Sequence, residues 1–494
     1  MKCISSLALL SLIPVSGSAL WAVEFGPVGP RSLAMGGTSV ANVNDALAAL
    51  HNPAYLATAP RVREGEEEDD PEMAGRYGWN ALDVSMGVTF TGKIGDYLDT
   101  IASVDYQNLS NKMSLTEADV RTALTLTGAL AGVDTLGNGL LIQGGTGTAL
   151  RWGNFSVGAR FRGHAAVRVD ELDSTNLGFS NLNVGQINSE IAGLSAGQTG
   201  TTLNAGQKQV LVNAGLTNAN VNYLDFLLTD LINLGQVQGE DLQEAVDLLV
   251  KVVEQSNGLA GGDLNSNTTV VTGRALGLAE IPIAYGYEVT PEFSIGATLR
   301  LLMGRVYGTT YLVFRNDNDQ IIDDIDNNYK STTTATVDLG LRYQYGRLTL
   351  AAVGRNLSSP KFKGFTTTTG ARIDDVTIDP QVTVGASFVV LPRLQVTAEG
   401  DLLETDSMLR GLAEQHLRLG VEWDPIRMLE LRAGVYDNIA QSNLDVVFTG
   451  GIGLDFAAVR FDLSGAVSPF DTVNYDGNSY PQSAMVSFGV AAGF

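Results

Sequence analysis

Phe155-Ser156-Val157-Gly158-Ala159-Arg160-Phe161-Arg162-Gly163-His164-Ala165-Ala166-Val167-Arg168 decides the fold class. Phe155, Val157, Ala159, Phe161, Ala165 and Val167 alternate with Ser156, Arg160, Arg162, His164 and Arg168, which is the period of an extended strand with two unlike faces. A strand that crosses a bilayer needs this contrast, because lipid meets one side and a polar lumen the other. Ala81 to Phe90 repeats it, with Leu82, Val84, Met86, Val88 and Phe90 opposite Asp83, Ser85 and Thr89.

Working outward, similar segments recur near residues 81–92, 139–152, 154–168, 269–288, 292–314, 332–345, 347–356, 377–391, 393–404, 415–424, 427–437, 445–456, 458–468 and 484–494, fourteen in all. A soluble sandwich also alternates, so the spacing of turns is the second test. Trp152 to Phe155, Val289 to Phe293, Tyr345 to Leu348, Leu391 to Leu394, Asp424 to Met428 and Phe456 to Val459 are tight and carry Gly, Pro, Asn or Asp. Every other connection is longer. That rhythm predicts an all-β protein: a closed antiparallel transmembrane β-barrel of about 14 strands, with an N-terminal plug, helical extracellular loops and both termini in the periplasm. The barrel is expected to span residues 81–494.

The start of the chain sets the compartment. Lys2, the apolar run Leu7 to Val15 and the small residues Ser18 to Ala22 form a signal peptide over residues 1–22, cut after Ala22 or Ala19. Localisation in the cell outer membrane follows. Cys3 is the single cysteine and precedes the apolar run, so the mature chain forms no disulfide, redox pair or thiolate metal site. A net charge of −23 with no basic tract argues against nucleic acid. After the signal no apolar run reaches the length of a membrane helix, so strands must do any spanning.

Two long loops, 93–138 and 169–268, carry helical patterns. Ser114 with Glu117 predicts a capping box for a helix running to about Leu136. Leu224, Leu227, Leu228 and Leu231, then Leu242, Val246, Leu249 and Val253, predict an amphipathic hairpin whose stripes pack on each other or form a hydrophobic platform. The polar stretch Thr175 to Gly206 is expected to be mobile.

Residues 23–60 are dense in small side chains: Arg31-Ser32-Leu33-Ala34-Met35-Gly36-Gly37-Thr38, then Asn52-Pro53-Ala54. Glycine pairs allow close backbone approach, and Asn-Pro marks a turn, which suits a compact hatch inside a lumen. A periplasmic tail or an extra strand is the duller alternative. An acidic linker, 61–80, with the run Glu64 to Asp70, joins hatch to barrel.

Here the sequence resembles the plugged outer-membrane barrels that include the FadL-type fatty-acid transporters, and most of all the barrel proteins called conjugal transfer protein of the TraF type. Besides the opening just quoted, Gly354-Arg355-Asn356-Leu357, Asp379-Pro380-Gln381-Val382, Ala398-Glu399-Gly400-Asp401-Leu402 and Leu431-Arg432-Ala433-Gly434-Val435-Tyr436 carry the likeness, over residues 24–58 and 335–494. The resemblance implies a hatch with gating residues Arg31, Gly36, Gly37, Asn52, Pro53 and Ala54. It also implies recognition of the terminal Phe494 by the barrel-assembly machinery. A thioredoxin-like role shared by other proteins of that name is excluded by the missing cysteines.

Arg160, Arg162, His164 and Arg168 are the candidate lumenal ligand contacts, able to hold an anionic head group; the competing reading pairs them with Asp83, Asp338 and Asp401. Asp317, Asp319, Asp323, Asp324 and Asp326 lack EF-hand spacing and read as a solvated turn, while His51, His164 and His416 are scattered. No cofactor, metal or catalytic site is expected. Two functions remain. One is plug-gated passive transport of small hydrophobic molecules; the other is a structural, partner-docking part of a conjugative or secretory envelope machine. The expected partners are outer-membrane lipid, the assembly machinery, a hydrophobic small molecule and envelope proteins.

Overall fold

The alternating segments become fourteen antiparallel strands: β1 (Tyr77–Thr91), β2 (Gly139–Trp152), β3 (Phe155–Glu171), β4 (Val270–Thr290), β5 (Phe293–Leu312), β6 (Tyr329–Tyr345), β7 (Leu348–Arg355), β8 (Gln381–Leu391), β9 (Leu394–Asp401), β10 (His416–Ile426), β11 (Leu429–Asn438), β12 (Val447–Phe456), β13 (Val459–Val467) and β14 (Ser483–Gly493). Each pairs with its sequence neighbour, and β1 pairs with β14 from Gly78↔Gly493 to Thr89↔Ser483, so the sheet closes on itself. The computed structural model describes residues 21–22, 26–43, 46–57, 77–104, 116–173, 184–194, 197–237, 239, 242–256, 267–312, 328–367, 372–441, 444–456, 459–470, 472–475 and 478–493. Most of the signal segment, the acidic run Glu64 to Asp70, Ser114, the aspartate-rich loop Asp317 to Asp326 and Phe494 lie outside the described residues.

Closure leaves no strand edge to solvate, which is what hydrocarbon surroundings demand. The two faces differ as the alternation requires: Phe161 is 62% exposed, whereas its neighbour Arg160 is 4% exposed. Leu82, Val84 and Met86 on β1 and Leu299, Leu301 and Met303 on β5 also face outward. At the tight-turn end the outward side chains become aromatic, with Trp152, Tyr285, Tyr287, Tyr343, Tyr345 and Trp423 forming an interfacial girdle. No described helix is long and apolar enough to cross a membrane.

One register shift in β1 brings Asn80 and Asp83 to the same inner face although they are three residues apart. Asn80 then donates to Asp83 at 3.0 Å.

The N-terminal segment fills the lumen. Helix α1 (Gly29–Ala34), helix α2 (Ala48–His51) and a 3-10 turn (Pro53–Ala57) are buried throughout. Helix α1 lies against β11 to β14 and β1, and the 3-10 turn against β4, β5 and β6. At the loop end the barrel carries helices α3 (Ile94–Ser103), α4 (Glu117–Asp134), α5 (Val184–Leu194), α6 (Ala205–Asn213), α7 (Asn218–Asn233) and α8 (Leu242–Ser256).

These outer helices differ in detail from the reading above. Thr116, with Asp119 as the reciprocal partner, makes the capping box of α4. The stripes of α7 and α8 share one core, which also takes in Val120 and Leu124 of α4. The polar stretch 175–206 contains α5, because Ile191 and Leu194 anchor it to that core. Its composition concealed two well-placed apolar side chains.

If the outward face meets hydrocarbon, Phe161→Arg should destabilise the barrel by about 2–4 kcal/mol. Urea titration of folding into lipid vesicles reads this, and an unchanged midpoint would place Phe161 away from lipid.

Candidate functional site

A plug inside a barrel must satisfy its own backbone and the inward charges of the wall, since both are removed from water. Here each does so for the other. Glu399 of β9 accepts the amides of Ser39, Val40 and Ala41 at 2.9, 2.7 and 2.9 Å. Arg31 of α1 makes a bidentate pair with Glu422 of β10, both bonds 2.9 Å. Glu422 also accepts from Arg432 at 2.6 Å, and Arg432 pairs with Asp462 at 2.6 Å. The plug is thus tied into an ion chain that runs across β10, β11 and β13.

Asn52 shapes the second anchor. Its side-chain oxygen accepts the Ala54 amide at 3.1 Å, and its nitrogen donates to the carbonyls of Val40 at 3.0 Å and of Leu341 in the wall at 3.1 Å. Arg355 of β7 donates to the His51 carbonyl at 3.0 Å, and Arg151 of β2 to the Tyr55 and Leu56 carbonyls at 3.3 Å each.

Glycines make the wall thin where the plug touches it. Gly286, Gly296 and Gly340 are register partners on β4, β5 and β6, and a Cβ on any of them would strike the Asn52-to-Ala57 segment. Gly420 and Gly434 are partners on β10 and β11, and a Cβ there would strike Met35 and Gly36. Gly36 itself has φ +69°, and its Cβ would lie 2.6 Å from the carbonyls of Leu419 and Val435. Two glycine grooves therefore receive the two ends of the plug. The sequence reading missed this half of the contact; the available signal was glycine recurring in the inward phase of adjacent strands.

The predicted lumenal residues separate. Arg162 pairs with Glu280, which also holds Arg300 at 2.9 Å, and Arg300 reaches Asp338 at 3.2 Å. Arg168 pairs with Asp170 at 3.2 Å and donates to the Arg410 carbonyl at 3.4 Å. Arg160 sits in the field of Asp83 and Glu280. Of the four, His164 alone lines the large cavity described next.

On the loop side of the plug lies an open chamber whose empty space, together with the solvent it opens to, is about 990 Å³. Pro27 and Gly37 of the plug form part of its floor, Gln143, His164, His416, Arg418 and Asn438 line its wall, and Met408, Leu412 and Leu444 come from the mouth loops. Loop residues Phe362, Ile373, Val376, Met408 and Leu409 fold into the mouth and pack on Leu276, Leu278, Leu302 and Val306 of the wall. A second, smaller and polar cavity lies beside Val28, Gly29, Thr38 and Ser39, where it meets Asn42, Asn80, Arg460 and Asp462. Neighbouring plug residues line the two spaces, Pro27 and Gly37 the chamber and Val28, Gly29, Thr38 and Ser39 the polar cavity. Among the described residues no cluster of three His, Cys, Asp or Glu side chains is placed to hold a metal.

The fold and this site define a transmembrane β-barrel of fourteen strands plugged by its own N-terminal segment. Residues 49–402 match the family described as "F plasmid transfer operon, TraF, protein", and the chain belongs to that family. No curated protein matches the chain. Among solved structures it is similar to the toluene transporter TodX of P. putida, at 12% identity, 95% of this chain, 99% of that one and a TM-score of 0.46. It is similar to the CymD monoaromatic hydrocarbon channel at 11% identity, 96% and 99% coverage and a TM-score of 0.44. A FadL homologue of Pseudomonas aeruginosa gives 10% identity, 96% and 99% coverage and a TM-score of 0.42.

Two predictions follow from the anchors and the mouth. Glu399→Gln weakens three charge-assisted bonds, so protection of the 39–41 amides in hydrogen exchange should fall by about tenfold or more; full protection would mean the plug is held elsewhere. In the mouth, the Asp406 amide donates to Asp379 at 3.4 Å, and burial pushes both carboxyls above the usual range. A raised carboxyl binds its proton better in the folded loop than in the free chain. Although the Asp406 amide bond by itself favours ionised Asp379, desolvation outweighs it, so the folded loop is most stable below about pH 4 and loses that stability as pH rises through the raised carboxyl range. Exchange of the 402–415 amides, corrected for intrinsic rate, should speed up from pH 4 to pH 8 in the native protein. It should do so much less with Asp379→Asn and Asp406→Asn together.

Proposed function

We propose that this protein is an outer-membrane channel through which small, largely apolar molecules pass down their gradient, gated by residues 26–57. The observation that carries the reading is the pair of cavities lined by adjacent plug residues, Pro27 and Gly37 on the chamber and Val28, Gly29, Thr38 and Ser39 on the polar cavity. A permeant enters through the apolar mouth loops, pauses in the chamber and passes when α1 shifts. Arg31, Gly36 and Gly37 lie at the moving end, and Asn52, Pro53 and Ala54 serve as the fixed end, seated in the glycine groove of β4 to β6. The Arg31–Glu422 pair is the latch, since it joins the moving segment to the wall. The barrel assembles from the exported chain, with Phe494 as the recognition residue, and it performs no catalysis.

Planar-bilayer conductance with Arg31→Ala and with deletion of residues 26–57 tests the gate. The native protein should be mostly closed, the substitution should raise open probability several-fold, and the deletion should leave a steady pore. In a porin-depleted host, uptake of N-phenylnaphthylamine should rise in the same order. Identical conductance in all three proteins would sink the proposal.

The family description names a transfer operon, and α4 to α8 form a cap with its own hydrophobic core. Together these favour a second reading, in which the cap docks an envelope partner. Loss of plasmid transfer on deleting residues 184–256, with bilayer conductance unchanged, would select it.

A further inference from the structure

We infer that the chamber accepts uncharged amphiphiles, molecules with an apolar body and one hydroxyl, carbonyl or amide group, and excludes carboxylates. This rests on the reading of the chamber as the place where a permeant pauses, and it names the ligand class.

Its charged lining is small and its cation is already committed. Arg418, the one arginine among the described lining residues, is held from behind by Asp401 at 2.9 Å. Asp401 is itself fixed by the Thr383 hydroxyl at 2.7 Å and the His416 amide at 3.1 Å. Two acids, Glu414 and Asp445, also line the space. With histidines neutral, the described lining residues carry one positive and two negative charges, so a carboxylate head entering the space would lose its hydration without gaining an uncommitted cation. The arginines that the sequence offers for an anion do not change this balance, because Arg160, Arg162 and Arg168 all lie outside the chamber lining, and Arg162 is paired with Glu280 and Arg168 with Asp170.

The group left to read a head is Gln143 on β2. Among the described residues its carboxamide has one contact, a long 3.9 Å approach of its nitrogen to the sulfur of Met485. Its register partner on β3 is His164, so the two stand side by side on the inner face. A carboxamide both donates and accepts, which suits a hydroxyl, carbonyl or amide equally. The other lining amides are engaged: Asn438 donates to the Ala413 carbonyl at 2.9 Å and accepts the Gln415 amide at 3.0 Å, and Gln482 accepts the Asp445 amide at 2.8 Å. Leu141, Met408, Leu412 and Leu444 surround the apolar body. Gln143 is thus the specificity residue of the chamber.

The experiment compares 1-octanol, octanoate and octylammonium binding to the full-length mature barrel in amphipol at pH 8, by saturation-transfer NMR. Octanol should bind about tenfold more tightly than octanoate. Gln143→Leu should weaken octanol by about fivefold while leaving n-octane binding unchanged. Met408→Trp, which narrows the chamber at its mouth side, should weaken binding of every probe. Octanoate equal to octanol would overturn the neutral class and leave the transport reading in place. Octylammonium binding more tightly than octanol would overturn it in favour of a cation site at Glu414. No binding by any probe, to a barrel shown folded by its unaltered circular dichroism, would overturn both readings.

Discussion

The inner wall of this barrel is charged, and charge removed from water must be answered. Most of the architecture follows from that demand. Arg300 is wholly buried between Glu280 and Asp338, and Arg432 between Glu422 and Asp462. These chains of ions rigidify the wall from within, but they leave a lumen too wide for side chains alone to fill. The N-terminal segment completes it, and its free backbone amides and carbonyls find partners in Glu399, Arg151 and Arg355. Plug and wall are therefore one hydrogen-bonded object rather than a stopper in a pipe.

Close approach is the second requirement, and it explains where glycine stands. The rows Gly286-Gly296-Gly340 and Gly420-Gly434 lower the inner surface by the depth of a side chain, so plug backbone reaches wall backbone. The plug is thus seated at Met35–Gly36 and again at Asn52–Ala57.

Polarity changes along the lumen. Apolar loop residues close the mouth, mixed side chains line the chamber, and a polar cavity lies beyond the plug. Under the proposed transport reading, that gradient would hold an apolar molecule less firmly the further it moved from the mouth.

The fourteen strands were legible because lipid and lumen impose opposite demands on alternate residues, and Phe161 beside Arg160 records both. Tight turns between β2 and β3 or between β8 and β9 were legible for a related reason, since their residues must reverse a strand within a few positions. A plug was suggested by small residues and by Asn52-Pro53-Ala54. What local sequence does not encode is which side chains meet across the lumen. Arg31 and Glu422 are 391 residues apart, and the acid that takes Arg162 proved to be Glu280 rather than any of the three weighed beforehand. The partners of a buried charge, the glycine grooves and the chamber around Gln143 depend on how far the closed sheet turns each strand. That geometry exists only once β1 meets β14.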